Sequence, residues 1–416
     1  MNFALIGSNI SQSYSKTIHE NLLISDYQLL QINNVKDVFD YNLKGFNVTH
    51  PFKEEIIPYL SSMDDIAKET RVVNTVLKKN DQYIGFNTDY EGFKEMMAYN
   101  HVDFNQKNVL ILGNGASSRT IEYYLMKQKV KSIVKLVRTI KNDHEDLIKN
   151  QSKYMDTHII INTTTVGMSP HTNDKLLLNF HHFPECNLVI DIIYNPHRSK
   201  LLIEAEKFNK KTINGLYMLL IQAKKAQEIW FNQTIDSNKI NLIYHNLLNQ
   251  YVNIVLIGMP FSGKTTFGQL LSRELHKKWI DTDIKIEEYS RLKINQIFKL
   301  SGEEKFREIE SQVIDLIRKN QGIIISTGGG VVLNYKNMEM LKENGLIIYI
   351  NNQSPNLNNI DFSHRPLIND LDDINKMKEK RDPIYKKVSD IEMTINESNP
   401  FSVERLKDIV YEYFNR

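Results

Sequence analysis

The chain has one cysteine, Cys186, in 416 residues. No internal disulfide can form, which excludes the disulfide-stapled secreted scaffolds and fits a reducing compartment. A long apolar run is also missing. Nothing approaches the roughly 20 apolar residues needed to span a bilayer. The stretch from Met1 to Gly7 has no basic segment, long apolar core or small-residue cleavage site. It reads as a first strand and not as a leader. Nor is there an excess of charge of one sign. Lys and Arg number 52 against 50 Asp and Glu, for a formal net charge of +2. Neither nucleic acid nor an anionic membrane is expected as a partner. Residues 236–251 hold no Pro, Gly or low-complexity tract, and Ile240, Leu242, Ile243, Leu247 and Leu248 are helix-like in spacing. An ordered junction is expected there instead of a loose tether. There is no internal repeat. These absences leave a soluble, cytoplasmic chain, too long for one ordinary core and sufficient for two or three domains.

What is present begins with Val255-Leu256-Ile257, an apolar run followed by Gly258-x-x-x-x-Gly263-Lys264-Thr265 and then by helical spacing from Phe267 to Leu275. Strand, glycine loop and helix make a phosphate-binding P-loop. Gly258 and Gly263 allow backbone N–H groups to face phosphate oxygens, with Ser262 and Thr266 in the same turn. The helix N-terminus adds partial positive charge. Lys264 would neutralise the β- and γ-phosphates of ATP, and Thr265 would reach Mg²⁺.

The first hundred residues alternate short apolar runs with helical patterns, a compact α/β unit. Strands are expected at Phe3–Ile6, Gly45–Val48 and Val73–Leu77, and helices near Ser15–Leu23, Pro51–Tyr59 and Asp89–Met97. Polar clusters follow the strands, where open α/β sheets place ligands. They are Ser13-Tyr14-Ser15, Asn47-Val48-Thr49, Lys53, Asn74-Thr75 and Asn87-Thr88-Asp89. Taken singly, Ser15 could equally be a helix cap and Asn47 a turn residue.

Further on, the strand Asn108–Leu112 runs into Gly113-Asn114-Gly115-Ala116-Ser117-Ser118-Arg119. This is a G-x-G-x-x-S version of the dinucleotide fingerprint. The first glycine makes the tight turn, the second admits the pyrophosphate, and Ser118 is small enough for close helix–strand packing. An NAD site usually ends the next strand, here Ile133 to Thr139, with an acid for the ribose hydroxyls. No acid stands there. Arg138, Thr139 and Lys141 suit a 2′-phosphate, which favours NADP.

In order and spacing, Asn47-Val48-Thr49-His50-Pro51-Phe52-Lys53, Val73-Asn74-Thr75 and Gly85-Phe86-Asn87-Thr88-Asp89 resemble motifs of the shikimate dehydrogenase family. Ile161 to Met168, Asp191-Ile192-Ile193-Tyr194-Asn195-Pro196 and the Asn214 to Ala223 segment continue the resemblance, which covers residues 1 to about 232. It implies that Ser13 and Ser15 bind a substrate carboxylate, and that Thr49, Lys53, Asn74, Asp89 and Gln222 hold ring hydroxyls. Tyr194 and Gly215 join that substrate set. Ketone reduction needs a proton for the developing alkoxide, which makes Lys53 the natural electrophile or acid, with Asp89 as its partner. Three positions depart from the family pattern: Tyr14 and Lys16 in the serine loop, and Val137 before Arg138-Thr139.

In the second half, Trp279-Ile280-Asp281-Thr282-Asp283 reads as a short strand whose alternation sends both carboxylates to one side. One could serve water-coordinated Mg²⁺ and the other an acceptor hydroxyl. Ser301-Gly302-Glu303-Glu304 reads as a capping box. On the helix beyond, Phe306, Ile309, Val313, Leu316 and Ile317 form the apolar face, and Arg307 by default is solvated. Ile323–Ser326 reads as a buried strand ending in Thr327-Gly328-Gly329-Gly330, where backbone can approach a substrate closely. His364-Arg365-Pro366-Leu367 and Arg381-Asp382-Pro383-Ile384-Tyr385 follow. This series resembles the shikimate kinase family over about residues 252–414. By that resemblance Asp283, Arg307, Arg381 and the Gly328–Gly330 backbone bind shikimate. Arg365 comes from a lid and acts with Lys264 on the transferring group, while Asp281 and Thr265 support Mg²⁺. Asn351 to His364 holds no arginine, although the family often has one there that stacks on adenine.

The expectation is a bifunctional enzyme that reduces 3-dehydroshikimate with NADPH and phosphorylates shikimate with MgATP. Its fold would be a substrate-binding α/β domain (1–100, completed by a returning helix at 213–235) and a Rossmann NADP domain (101–212). A linker (236–251) and a P-loop, NMP-kinase-like domain with a parallel sheet (252–416) would follow. Two other readings use the same residues: a quinate dehydrogenase with NAD fused to a small-alcohol kinase, and a metabolite sensor without turnover.

Overall fold

A computed structural model describes residues 2–353, 367, 370–396 and 402–414. The chain forms two compact units, Met1–Leu247 and Leu248–Arg416. Among the described residues no helix is long and apolar enough to cross a membrane.

The first unit holds two six-stranded sheets. In spatial order the first runs Tyr27–Gln31, Phe3–Gly7, Gly45–Val48, Thr75–Lys79, Gln82–Phe86, Ser62–Met63. Phe3–Gly7 pairs in parallel with both neighbours, whereas Thr75–Lys79 is antiparallel to both of its own. The third expected strand therefore starts two residues later, and Asn74 lies just before it. No regular helix forms over Pro51–Tyr59. The backbone makes turns and a short 3₁₀ segment at Ile57–Tyr59. Pro58 lacks the N–H that a helix there would donate to the carbonyl four residues back. The helices Ser15–Leu22 and Thr88–Tyr99 form close to the expected bounds.

The second sheet runs Lys211–Asn214, Leu188–Asp191, Ile159–Asn162, Asn108–Leu112, Ser132–Val137, Glu145–Leu147, all parallel. Counted along the chain this is the doubly wound order 3-2-1-4-5-6. Its switch point lies between Asn108–Leu112 and Ile159–Asn162, the crevice where such folds take dinucleotides. These strands are apolar runs because both sheet faces are covered. The Leu216–Phe231 helix packs back on the first sheet, where the Trp230 indole N–H donates to the Val76 carbonyl at 2.9 Å.

A carboxylic acid is among the polar groups buried in this sheet. Asp191 is fully buried and accepts from Asn162 Nδ2 (3.0 Å), the Ile193 amide (3.1 Å) and the Ser199 hydroxyl (2.5 Å). Burial pushes its carboxyl up to about 7, against the pull of those three donors. The folded value lies above the unfolded one. Its contribution to stability is therefore complete below about pH 4 and is lost as pH rises through 7, a change on the order of 4 kcal/mol. Denaturant unfolding of the wild type and Asp191→Asn should differ in slope with pH between those limits. Equal slopes would contradict a protonated Asp191.

The second unit carries one parallel sheet in the spatial order Trp279–Asp281, Ile324–Ser326, Asn253–Ile257, Gly345–Asn352, Ile391–Ile395. The central strand Asn253–Ile257 is completely buried and delivers the P-loop at its carboxyl end. Trp279 donates its indole N–H to Ser326 Oγ at 3.0 Å. Ahead of this unit the expected ordered junction is a helix, Ser237–Tyr251.

Two expectations on this unit change. The strand carrying Asp281 stops there, and Thr282–Ser290 is a helix, so strand alternation does not govern Asp283. The Asp281 carboxylate caps that helix by accepting the Asp283 amide at 2.9 Å, which ends the strand locally. Helical structure also begins earlier than the expected capping box, at Ile294. Gly302, with φ 76°, marks the kink where two helical segments meet.

Candidate active sites

In the first unit the polar clusters converge. Lys53 Nζ donates to Asp89 Oδ2 at 2.6 Å, with both side chains largely buried. The second Asp89 oxygen accepts from Asn74 Nδ2 at 2.7 Å. Asn74 Nδ2 also lies 3.4 Å from Gln222 Oε1, and Asn74 Oδ1 accepts the Thr88 amide at 2.7 Å. The Lys53 turn, the start of the Thr88–Tyr99 helix and the returning Leu216–Phe231 helix thus meet at one amide. The short Lys–Asp pair is shielded from water and is not a bland surface contact.

The serine loop resolves differently from either single-residue reading. Tyr14, not Ser15, precedes the first helical turn, and Ser13 Oγ accepts the Ser15 amide at 3.2 Å. The Ser13 hydroxyl reaches Ser15 Oγ at 3.0 Å. Tyr14 packs its ring on Tyr194 at 5.1 Å, so this departure from the family pattern has an aromatic partner in the second sheet's region. Asn47 is no turn residue. It is buried at the end of its strand, accepting from the Tyr27 hydroxyl at 2.6 Å and donating to Thr75 Oγ1 at 2.9 Å. Thr49 follows it with intermediate exposure. Gly215 has a packing reason of its own, since a Cβ there would stand 1.9 Å from the Ile192 carbonyl oxygen.

At the switch point Gly113 turns with φ 97°. Ser118 Oγ donates to the Gly113 carbonyl at 2.9 Å, closing the turn on the helix that starts at Ala116. A Cβ on Gly115 would meet no protein atom within 4 Å. Packing therefore does not demand this glycine, and the space beside it suits a pyrophosphate on the helix N-terminus, flanked by Asn114, Ala116 and Ser117. Gly115→Val should raise KM for NADPH about tenfold, a loss of about 1.4 kcal/mol, with an unchanged melting temperature. An unchanged KM would remove the pyrophosphate from this turn.

Arg138, Thr139 and Lys141 are exposed past the end of the Ser132–Val137 strand. An acid is nevertheless close by. Glu145 is buried and accepts the Lys141 amide at 2.6 Å, Asn142 Nδ2 at 3.0 Å and Asn114 Nδ2 at 3.3 Å. It arrives from the next strand, where the fingerprint does not look. Its charge is spent bracing the loop that presents Arg138.

In the second unit one pocket is lined by Asp283, Arg307, Gly328, Gly329, Gly330 and Arg381, with apolar walls from Ile294, Phe298, Phe306, Leu367 and Met377. Arg307 is not solvated. Its Nη1 donates to Glu310 Oε2 at 3.0 Å, while Nε (3.2 Å) and Nη2 (3.0 Å) donate to Glu303 Oε1. A Cβ on Gly330 would stand 2.3 Å from Arg307 Nη2, and one on Gly328 would stand 2.6 Å from Asp283 Oδ1. These two glycines let both charged groups lie over backbone.

Glu310 escaped the sequence reading. It is 1% exposed, and its Oε1 has no hydrogen-bond partner. Burial pushes its carboxyl up, against the pull of Arg307. Its position on the stripe of Phe306, Val313 and Ile317 was the available signal, an acid where an apolar residue belongs. Thr282 was missed as well: its hydroxyl accepts the Gly328 amide at 2.9 Å and holds the glycine loop.

Lys264 Nζ donates to the Gly258 carbonyl (3.0 Å) and the Met259 carbonyl (2.8 Å). Gly258 (φ 151°) and Gly263 (φ 93°) take the conformations the loop requires. The Thr265 hydroxyl donates to Asp281 Oδ2 at 2.8 Å, and Thr266 is exposed beside it. Burial, with the Asp283 charge adding to it, raises the Asp281 carboxyl. Among the described residues no group of three or more metal-ligating side chains forms. One hydroxyl and one carboxylate fit Mg²⁺, which keeps several waters and takes its other oxygens from phosphates. Arg365 lies outside the described residues.

Fold and side chains together define a dinucleotide-fold oxidoreductase unit followed by a P-loop phosphotransferase unit. The comparisons agree. The family model for the shikimate dehydrogenase substrate-binding domain matches residues 5–76, and that for shikimate kinase matches residues 260–415. A shikimate dehydrogenase (NADP(+)) from Methanococcus vannielii is 37% identical over 275 residues, spanning 59% of this chain and 96% of the relative. The structure of shikimate dehydrogenase 1 from Peptoclostridium difficile is similar with a TM-score of 0.55 at 31% identity, over 59% of this chain and 98% of its own. A chorismate mutase/shikimate 5-dehydrogenase fusion protein from Clostridium acetobutylicum reaches 0.56 at 28% identity, over 59% and 96%. The chain belongs to the shikimate dehydrogenase family and carries a shikimate kinase domain as its second unit.

Proposed function

We propose that the protein is a bifunctional enzyme of the shikimate pathway, reducing 3-dehydroshikimate to shikimate with NADPH and then phosphorylating shikimate with MgATP. What carries the reading is that both units gather their separated motif residues: the bonded set Lys53–Asp89–Asn74 in one, and a pocket with Asp283 and Arg307 over the Gly328–Gly330 backbone in the other.

In the first unit the substrate carboxylate rests on Ser13 and Ser15, and the ring hydroxyls on Thr49, Asn74, Asp89 and Gln222. Tyr194 and Gly215 complete the wall. NADPH, when bound along Gly113–Ser118 with its 2′-phosphate at Arg138 and Thr139, supplies the hydride. Lys53 delivers a proton to the ketone oxygen as negative charge develops there. Asp89 aims the ammonium, and Asn74 fixes Asp89 through its other oxygen.

In the second unit Arg307 and Arg381 hold the carboxylate. Arg307 spends one N–H on Glu310 and two on Glu303, which leaves one on each terminal nitrogen for a bidentate contact. Asp283, in the first turn of its helix, orients the acceptor hydroxyl. ATP, when bound at Gly258–Thr266 with Mg²⁺ at Thr265 and Asp281, supplies the phosphoryl group. Lys264, together with Arg365, stabilises charge on the group in transfer. The product of the first unit is the substrate of the second, which gives the fusion a chemical reason.

The test is a one-pot reaction of 3-dehydroshikimate with NADPH, ATP and Mg²⁺, following shikimate and its phosphate. Both should form in sequence. Absence of either product, or a strong preference for quinate with NAD, defeats the corresponding half.

A further inference from the structure

The Arg381 to Tyr385 motif ends in a tyrosine that bonds to backbone. Tyr385 is completely buried in the Leu371–Val388 helix, its ring stacked on Tyr349 at 4.9 Å. Its hydroxyl meets two backbone carbonyls. One is Gly258 of the phosphate loop, at 2.9 Å; the other is Gly329 of the acceptor loop, in close contact. The Arg381 charge acts on the same phenol, against the effect of burial. Burial keeps the phenol protonated. A phenol has one proton, so two buried carbonyls share one donor. The Gly258 carbonyl has a second donor, Lys264 Nζ at 3.0 Å.

We propose that the Tyr385 hydroxyl couples the phosphate loop to the acceptor loop, so that nucleotide on Lys264 tightens the hold on the hydroxy acid. The proposal rests on the kinase reading above. When Lys264 turns from the Gly258 carbonyl to phosphate oxygens, that carbonyl loses a donor and draws the Tyr385 proton. The Gly329 carbonyl then gives up its share. The Gly328–Gly330 backbone lies against Asp283 and Arg307, so a change in its bonding reaches both groups that face the acid. No bond of Tyr385 points to a reacting atom; it is a positioning residue. A purely packing role would need the ring and not the hydroxyl, which makes Tyr385→Phe the discriminating variant.

Calorimetric titration of shikimate into the full chain, with and without MgADP, reads the coupling. In the wild type MgADP should tighten shikimate binding by about fivefold or more. In Tyr385→Phe each ligand should still bind alone, with the coupling reduced to about twofold or less. A wild type without coupling, or a variant with full coupling, overturns the proposal. Failure of the wild type to bind shikimate or MgADP at all is a different result and removes the kinase reading. If Tyr385→Phe does not fold, amide hydrogen exchange of the wild type at the acceptor loop decides. MgADP without shikimate should alter amide hydrogen exchange at Gly328–Val331, and unchanged exchange there overturns the coupling.

Discussion

Lys53→Ala should lower ketone reduction by about 10²- to 10⁴-fold, the range for losing a positioned general acid. The fall should lie mainly in kcat, because Lys53 matters most when charge develops on the ketone oxygen. Asp89 would keep its bond to Asn74 but lose its cation, and this carboxylate is largely buried. Some loss of stability is therefore expected alongside the loss of rate. Phosphorylation of added shikimate by the same preparation serves as the folding control, since it depends on residues of the other compact unit. A fall of less than tenfold in ketone reduction, with phosphorylation intact, would remove Lys53 from the chemistry.

The complementary variant is Lys264→Ala. Phosphoryl transfer should fall by at least about 10²- to 10³-fold, the scale for removing one preorganised charge from a transition state. NADPH oxidation with 3-dehydroshikimate should be unchanged. The lysine is buried and donates to two loop carbonyls, so its removal also loosens the P-loop. Weaker MgADP binding is expected in addition to the slower transfer. The paired result matters more than either value: two activities that vanish separately, each with its own lysine. Parallel loss of both activities in either variant, with the melting temperature unchanged, would defeat the assignment.

Much of this architecture was legible because the motifs carry their own local physics. A glycine loop between an apolar run and a helical pattern has few other uses, and all three of its parts form here. The polar clusters after the first strands pointed to a pocket for the same reason. What escaped was set by partners distant in sequence. Asn47 looked like a turn residue because its strand ends there, and only the fold brings Tyr27 and Thr75 to its amide. For Arg307 only the family resemblance pointed inward, because the glycine that makes room for it is Gly330, on another element. The buried acid that braces the Arg138 loop, Glu145, comes from a later strand. Asp283 was placed on a strand because alternation was extended past Asp281, whose side chain stops that strand by capping a helix. Glu310 is the exception, since its place on an apolar stripe was visible.

The two tryptophans carry a practical consequence. The chain has only two, and they fall one to each compact unit: Trp230 under the first sheet and Trp279 at the edge of the third. Each indole N–H has a defined acceptor, the Val76 carbonyl for one and Ser326 Oγ for the other. Trp279 enters the strand that ends in Asp281, two residues from the proposed metal site. Ultraviolet emission is therefore a built-in optical label for each half. In a Trp230→Phe chain the tryptophan emission would come only from the phosphotransferase, and its spectrum could follow nucleotide arrival there without any attached dye.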